Sequence, residues 1–518
     1  MKANPITSAA CYVAAIVLAV SVLFEMPQAF SQGKQKPTAA SVNFDKDGHQ
    51  VTRFSTVGDA IDAHDGEIAL FNGVYYLYGT SYDCGFAWGD KKAPFCGFKS
   101  YSSTDMVNWT DRGFLFDAQT PVWQTRCNGN TYGCFRPHVI YNETTKLYVL
   151  WINVYDNVSG YRVFTAKQPA GPFTEVAEPK LAVNSNMPAA GLNNGDHDTF
   201  IDDDGTAYLA YTDWRTKGSI IVEKLSADYL TGTGEYVGGI TKGSTEAPGM
   251  FKRNGIYYIV YSDPNCGYCS GTGASYRTAK SPLGPWSEGK KISDNSCGGQ
   301  PSFVSTIKLG SGTVYLFGSD LWNHAAKNEA LANYYWAPLA FNEDGSIKPM
   351  TCEQAFKISP SNNKAMPGKA VGAGYRLHGD IARNVQRRQS LRAVKSGTLS
   401  DVSLTTFKNG YPDAGLQVDV YKADLTGAPV GKSLYWQTMA ADAIGWSAKN
   451  VTIHPKVAVT RGSNYCIVLR SATATGVYGV AYNDDVKTTA GVESYSSDGG
   501  DSFAIEPNRV VKFGVVIK

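Results

Sequence analysis

The chain has 518 residues, with 48 Lys and Arg against 46 Asp and Glu and a formal net charge of +2. Near-neutrality excludes a protein held to nucleic acid or an anionic membrane by bulk charge, which needs a basic excess on one face. The 53 Gly, with 31 Tyr among 12% aromatic residues, favour an all-β chain rich in turns over a parallel α/β enzyme.

Lys2 and the apolar run from Ala9 to Leu23, ending at Ala29-Phe30-Ser31, predict a secretory signal over residues 1–31. The run is short for a membrane span of about 20 residues. The mature protein is therefore expected to be secreted or periplasmic and free of the membrane. A polar linker over 32–42 follows. Nine cysteines outlast Cys11, and their spacing predicts local staples: Cys84 with Cys96, Cys127 with Cys134, and Cys266 with Cys269. The last pair also fits a redox or zinc half-site, but a second such motif is missing and no His or Cys pair flanks it at ligand spacing. Spacing does not assign Cys297, Cys352 and Cys466, and at least one thiol is left over.

From residue 43 a strand signature recurs around Tyr75–Tyr78, Leu147–Trp151, Tyr208–Tyr211, Tyr257–Tyr261 and Val314–Phe317. Most copies follow a hairpin turn, at Asn72-Gly73, Asp204-Gly205, Asn254-Gly255 or Ser311-Gly312. A second repeat, Thr165 to Phe173 against Thr278 to Trp286, shares the pattern Thr-Ala-Lys-x-Pro-x-Gly-Pro-aromatic. Five strand-rich repeats at about 50 to 70 residues predict a five-bladed β-propeller over 43–357. The stretch Ser359 to Lys369 reads as a boundary. Beyond it, alternating strands such as Val402–Phe407, Leu416–Tyr421, Tyr465–Leu469 and Val510–Val516 predict a β-sandwich over 366–518. Tyr411, Tyr435, Trp436, Trp446 and Tyr495 would be exposed if it binds carbohydrate; the competing reading is a domain that buttresses the propeller.

A propeller's ligand site is the funnel where its innermost strands meet. Three acidic segments stand just before strand signatures: Asp62 to Ile68, Asn194 to Phe200, and Ser244 to Met250. Hydrolysis of a glycosidic bond needs one carboxyl held protonated and another ionised across the scissile bond. Lone Asp residues before strands usually cap turns, as Asp202 to Asp204 are expected to do. Glu246, beside Ala247-Pro248 and before an apolar strand, has no such structural use.

These segments carry a resemblance. Residues 43 to about 355 resemble glycoside hydrolase family 43, a five-bladed propeller family of inverting glycosidases. The carriers are Asp65 to Ile68 followed by Tyr75 to Ser81, Tyr101 to Thr110, Asp196 six residues before the Asp202 turn, and Glu246-Ala-Pro248. The resemblance implies that Asp65 is the general base that activates water, Asp196 orients the acid and raises its pKa, and Glu246 is the general acid. Asp198 competes for the middle role, with spacing in favour of Asp196. Gly66 stands where Pro often follows the base. His64, Arg136-Pro137 before Val139 to Asn142, and Gln300 are similar to a subgroup that contains exo-β-1,3-galactanases. That subgroup often lacks the base Asp, which is present here. Inversion needs carboxyls about 6.5–9.5 Å apart, with room for water.

Sugars offer hydroxyls and an apolar face, so their pockets pair polar forks with aromatic platforms. His64, Arg136, Gln300 and Trp322 are the expected substrate contacts, with His138, Asp213, Trp214, Asp320 and Tyr335 as further candidates around the funnel. Some family members hold a calcium ion near the funnel axis; no dense carboxylate loop signals one here, and neither metal nor cofactor is expected. The leading expectation is a monomeric exo-glycosidase that removes α-L-arabinofuranosyl or β-xylosyl units from plant-type polysaccharide side chains. The alternatives are an exo-β-1,3-galactanase and, in another class, a propeller that binds glycans without cleaving them.

Overall fold

Asn72-Gly73 and Asn254-Gly255 take the left-handed pair that a two-residue hairpin requires, with φ of 51° and 78°, then 49° and 75°. This turn matches the twist of paired strands. It joins Ile68–Phe71 to Val74–Thr80 and Glu246–Arg253 to Ile256–Ser262. The computed structural model describes residues 40–518 apart from 88–91, 129–132, 156–159, 184–194, 267–268, 311, 323–327, 360–363, 369–373 and 485–490. The expected signal, most of the linker and Ser311 lie outside the described residues.

Five antiparallel sheets follow in chain order, and each opens with the strand nearest the axis. Those inner strands are Ile68–Phe71, Cys134–Asn142, His197–Ile201, Glu246–Arg253 and Gln300–Leu309. The first four sheets have four strands; the fifth has three, ending in Asn333–Pro338. Apolar faces too wide to bury alone are covered by the next blade, so the core is five clusters between neighbouring sheets. The cluster that closes the ring joins Ile68 and Leu77 of the first blade to Phe303, Leu316 and Trp336 of the last.

Closure is reinforced by a polar latch. Asn43 donates from Nδ2 to the Trp336 carbonyl at 2.9 Å and accepts the Trp336 N–H at 3.0 Å, acting as a short missing strand. Arg53 lies 4.2 Å above the Trp336 ring and bonds Asn43 Oδ1 at 2.7 Å.

The C-terminal sandwich packs a seven-stranded sheet on a six-stranded one around Leu399, Leu404, Val418, Val420, Ile467 and Tyr478. It is tied to the propeller by main-chain and side-chain bonds. Ala60 N–H reaches Ala448 O at 2.7 Å, Asn328 Nδ2 bonds the carbonyls of Lys408 and Trp446, and Asp83 takes the Ser447 N–H and pairs with Lys449. Trp446, expected on the surface, is only 6% exposed and packs with Tyr82, Phe86 and Trp322 of the propeller. Tyr411 and Trp436 are exposed, at 71% and 63%; Tyr435 and Tyr495 are half-buried.

The predicted bridges at Cys84–Cys96, Cys127–Cys134 and Cys266–Cys269 are present, Cys297 pairs with Cys352, and buried Cys466 is the leftover thiol. Among the described residues no helix is long and apolar enough to cross a membrane.

Trp446→Ala is expected to lower the unfolding free energy by about 3–5 kcal/mol through lost packing at this junction. An unchanged urea midpoint would mean that the junction is held by its hydrogen bonds alone.

Candidate active site

Asp65, Arg136, Asp196, Glu246 and Gln300 all sit at or near the first residue of an inner strand, one on each of the five blades. The hairpin turns lie at the other end. The alternation of strand and turn therefore carries five residues, distant in sequence, to one rim of the axis.

Local backbone irregularity aims them inward. The register shifts between Phe135 and His138, between Glu246 and Gly249, and between Pro301 and Phe303. Each shift holds a proline, at 137, 248 and 301, which has no N–H to give to a ladder and so belongs at a bulge. Asp65, Arg136 and Ala247 have φ of 55°, 57° and 53°, a left-handed conformation that costs about 1–3 kcal/mol at a non-glycine residue. Gly66, which departs from the usual family Pro, has a steric reason: a Cβ there would lie 2.2 Å from the Tyr78 carbonyl.

The side chains interlock. Asp65 Oδ1 accepts from Thr80 Oγ1 at 2.7 Å and from the Arg136 N–H at 3.1 Å; Oδ2 accepts from Tyr82 OH at 2.9 Å. Arg136 Nη2 donates to Asp196 Oδ2 at 2.6 Å, and Nη1 donates to the carbonyls of Pro301 and Ser302. Gln300 Nε2 donates to Glu246 Oε2 at 3.2 Å, and Gln300 Oε1 accepts from Trp322 Nε1 at 3.1 Å.

Burial raises the Asp65 carboxyl to about 7, against the pull of Arg136 and the Thr80 bond. Burial, then the charge of Asp196, raises Glu246 well above the ordinary carboxyl range. Asp196 and Asp65 outweigh the burial of Arg136 and keep it firmly charged. The rim therefore holds one carboxyl that keeps its proton, Glu246, and another that gives it up near neutrality, Asp65, the contrast that acid–base hydrolysis uses.

Other expected contacts fall differently. His64 has no exposed surface; its ring stacks on Tyr334 and its nitrogens face Asp320 and Asp62, which places it behind Asp65 rather than on the funnel wall. Asp320 accepts the Asp65 N–H. Tyr335 packs on Phe44 and bonds Glu353 N, away from the rim. Asp213 caps the turn at Trp214 and pairs with Arg215. Gly195 admits Trp214 and Tyr155 beside Asp196, since a Cβ there would lie 2.4 Å from Trp214 Nε1. Thr80 lies in the Tyr75 to Ser81 segment that carries the resemblance but was not singled out as a contact of Asp65, and nothing in the local sequence marks Tyr82 or Asn265.

Asp198 belongs to a second cluster. It and Glu67 flank His138, with ligand atoms within 4.8 Å of one another. His138 is pushed towards its charged form by both carboxylates despite burial, and Glu67 and Asp198 also accept N–H bonds from Val139 and Met250. Calcium takes six to eight oxygen ligands, so two carboxyls and an imidazole suit it poorly; the three side chains form a buried carboxyl–imidazole–carboxyl cluster. A cavity of about 1340 Å³ opens at the far end of the axis among Asn72, Thr144, Gly205 and Lys252. Glu67 and Asp198 line it; Asp65, Asp196 and Glu246 do not.

A five-bladed propeller that brings buried carboxyls from three blades to one rim has the frame and the acidic groups that glycoside hydrolysis uses. The model of glycosyl hydrolases family 43 matches residues 60–334, and the chain belongs to that family of inverting enzymes. It is 28% identical over 299 residues to a β-D-galactofuranosidase of Aspergillus niger, covering 55% of this chain and 82% of that protein. An arabinoxylan arabinofuranohydrolase of Bacillus subtilis is 28% identical over 270 residues, 44% of this chain and 49% of its own. Among solved structures, an exo-β-1,3-galactanase from Clostridium thermocellum shares the fold with a TM-score of 0.54 at 20% identity, over 93% of this chain and all of that one. One from Phanerochaete chrysosporium, with β-1,3-galactotriose, gives 0.50 at 20% identity over 85% and 99%.

The raised Asp65 pKa has a stability consequence. Between 3.8 and about 7 the folded state keeps a proton that the unfolded chain has released, so this group lowers stability as pH rises through that window. Asp65→Asn is expected to stabilise the protein at pH 8, by at most about 4 kcal/mol, and not at pH 3. Urea midpoints at the two pH values check this.

Proposed function

We propose that this protein is an exported exo-acting hydrolase that releases terminal galactosyl units from β-1,3-linked galactan, with Glu246 as general acid, Asp65 as general base and Asp196 as the residue that orients the acid. The observation that carries the assignment is the pairing of a buried Glu246 beside Asp196 with an Asp65 held by three donors. Glu246 gives its proton to the glycosidic oxygen as the C1–O bond breaks. Asp65 takes a proton from the water that attacks C1 from the opposite face, and the sugar leaves with inverted configuration. Afterwards Glu246 is ionised and Asp65 protonated, and exchange with solvent resets both.

Galactan is supported by the resemblance at Arg136-Pro137 and Gln300, and by the likeness in fold to exo-β-1,3-galactanases over 93% and 85% of the chain. A second reading, release of arabinofuranosyl or xylosyl units, is favoured by relatives such as the arabinofuranohydrolase of Bacillus subtilis and a putative β-xylosidase of Xylanibacter ruminicola.

β-1,3-Galactan, arabinoxylan and the matching aryl glycosides separate the two. Galactose as the main product is the expected result; arabinose or xylose would select the second reading. Glu246→Gln should lower kcat by about 10²–10⁴-fold on natural leaving groups. Activity should rise with pH through about 7 as Asp65 ionises and fall at higher pH as Glu246 loses its proton. A full rate with Glu246→Gln would refute the acid.

A further inference from the structure

Asn265 follows the strand Ile256–Ser262 in a loop tied to two inner strands. Its N–H donates to Ser244 O at 2.8 Å, two residues before Glu246. Further along the loop, Thr272 N–H donates to Gly299 O at 2.8 Å, one residue before Gln300. The Asn265 side chain lies between those strand ends. Oδ1 accepts from Gln300 Nε2 at 3.2 Å, and the same side chain hydrogen-bonds Glu246. The Cys266–Cys269 bridge begins at the next residue.

Glu246, Gln300 and Asn265 thus close a triangle of hydrogen bonds, with the Gln300 amide pinned from outside by Trp322. Because Gln300 donates to Oε2, the proton of the neutral acid sits on Oε1, while the bond itself draws the carboxyl towards its ionised form. A carboxyl on a single-bonded side chain otherwise samples several rotamers, and a misplacement of about 1 Å is enough to cost about a hundredfold in rate.

We propose that Asn265 is a positioning residue for proton delivery, fixing Glu246 and Gln300 relative to each other while the Cys266–Cys269 bridge holds Asn265 against both. The proposal rests on the reading of Glu246 as the acid. Asn265 touches the acid and not the sugar, so its loss acts on leaving-group departure rather than on binding. The groups facing Glu246 are Asp196, Arg136, Tyr155, Gln300 and Asn265. Asn265 is among those that favour its ionised form, so removing it moves the falling pH limb upward.

The test uses the full chain with Asn265→Ala, and Asn265→Ser should the first variant misfold by near-ultraviolet circular dichroism. Aryl glycosides of the released sugar supply a poor and an electron-poor leaving group. On the poor one, kcat is expected to fall about ten- to a hundredfold with KM nearly unchanged. On the electron-poor one, which departs without a proton, the rate should be nearly unchanged. Equal loss on both with an unmoved pH limb, or no loss on either, would overturn the proposal. Cys266→Ser with Cys269→Ser should reproduce the leaving-group pattern in weaker form; wild-type behaviour would overturn the part given to the bridge. Glu246→Gln is measured alongside. If it lacks leaving-group dependence, the acid assignment has failed, an outcome distinct from failure of the role given to Asn265.

Discussion

A single buried guanidinium organises the rim of this propeller. Arg136 belongs to the second blade, its N–H holds Asp65 of the first, its Nη2 holds Asp196 of the third, and its Nη1 holds two carbonyls of the fifth. A charge removed from water is tolerated only when paired and fully hydrogen-bonded, and Arg136 meets that condition only if four blades arrive at the right depth. The need to satisfy one cation therefore fixes the relative height of strands that share no main-chain bonds. The left-handed backbone at Arg136 is the local strain that lets a residue serve in both directions, main chain to one carboxylate and side chain to another.

The same cation favours the ionised form of both carboxyls, and their other neighbours separate them chemically. Asp65 and Glu246 are both buried, and burial alone would leave both neutral. Arg136 and three donors draw the Asp65 pKa back to about 7, whereas Asp196 lies beside Glu246 and adds repulsion to desolvation. Two buried carboxyls on one rim thus take different protonation states because their other neighbours differ.

Much of this was legible in the chain. Asn-Gly pairs announce hairpins because few other residues adopt two left-handed conformations in a row, and the five recurrences of the strand signature announce the blades. The carboxylates stood out because a Glu beside Ala247-Pro248 has no role in a strand. The prolines at 137, 248 and 301 carried a further signal: each marks a bulge, and each bulge lies next to a residue aimed at the axis. Asn265 and Tyr82 were silent, since their partners lie 17 to 35 residues away and only the tertiary fold brings them near. Trp446 was ambiguous for a different reason. An aromatic residue in a sandwich looks the same in sequence whether it meets sugar or another domain, and here the propeller covers it.

The Asn43 latch bears on how the molecule is made. Asn43 and Trp336 are 293 positions apart, so a chain emerging from the ribosome exposes its first blade long before the partner of that blade exists. Each new blade covers the face of the one before it, yet the outer face of the first stays bare until the fifth is complete. Synthesis in order thus leaves an apolar face and a set of unpaired strand groups waiting through most of translation. A pause late in translation would therefore prolong the exposure of that face more than one placed before the first blade is complete.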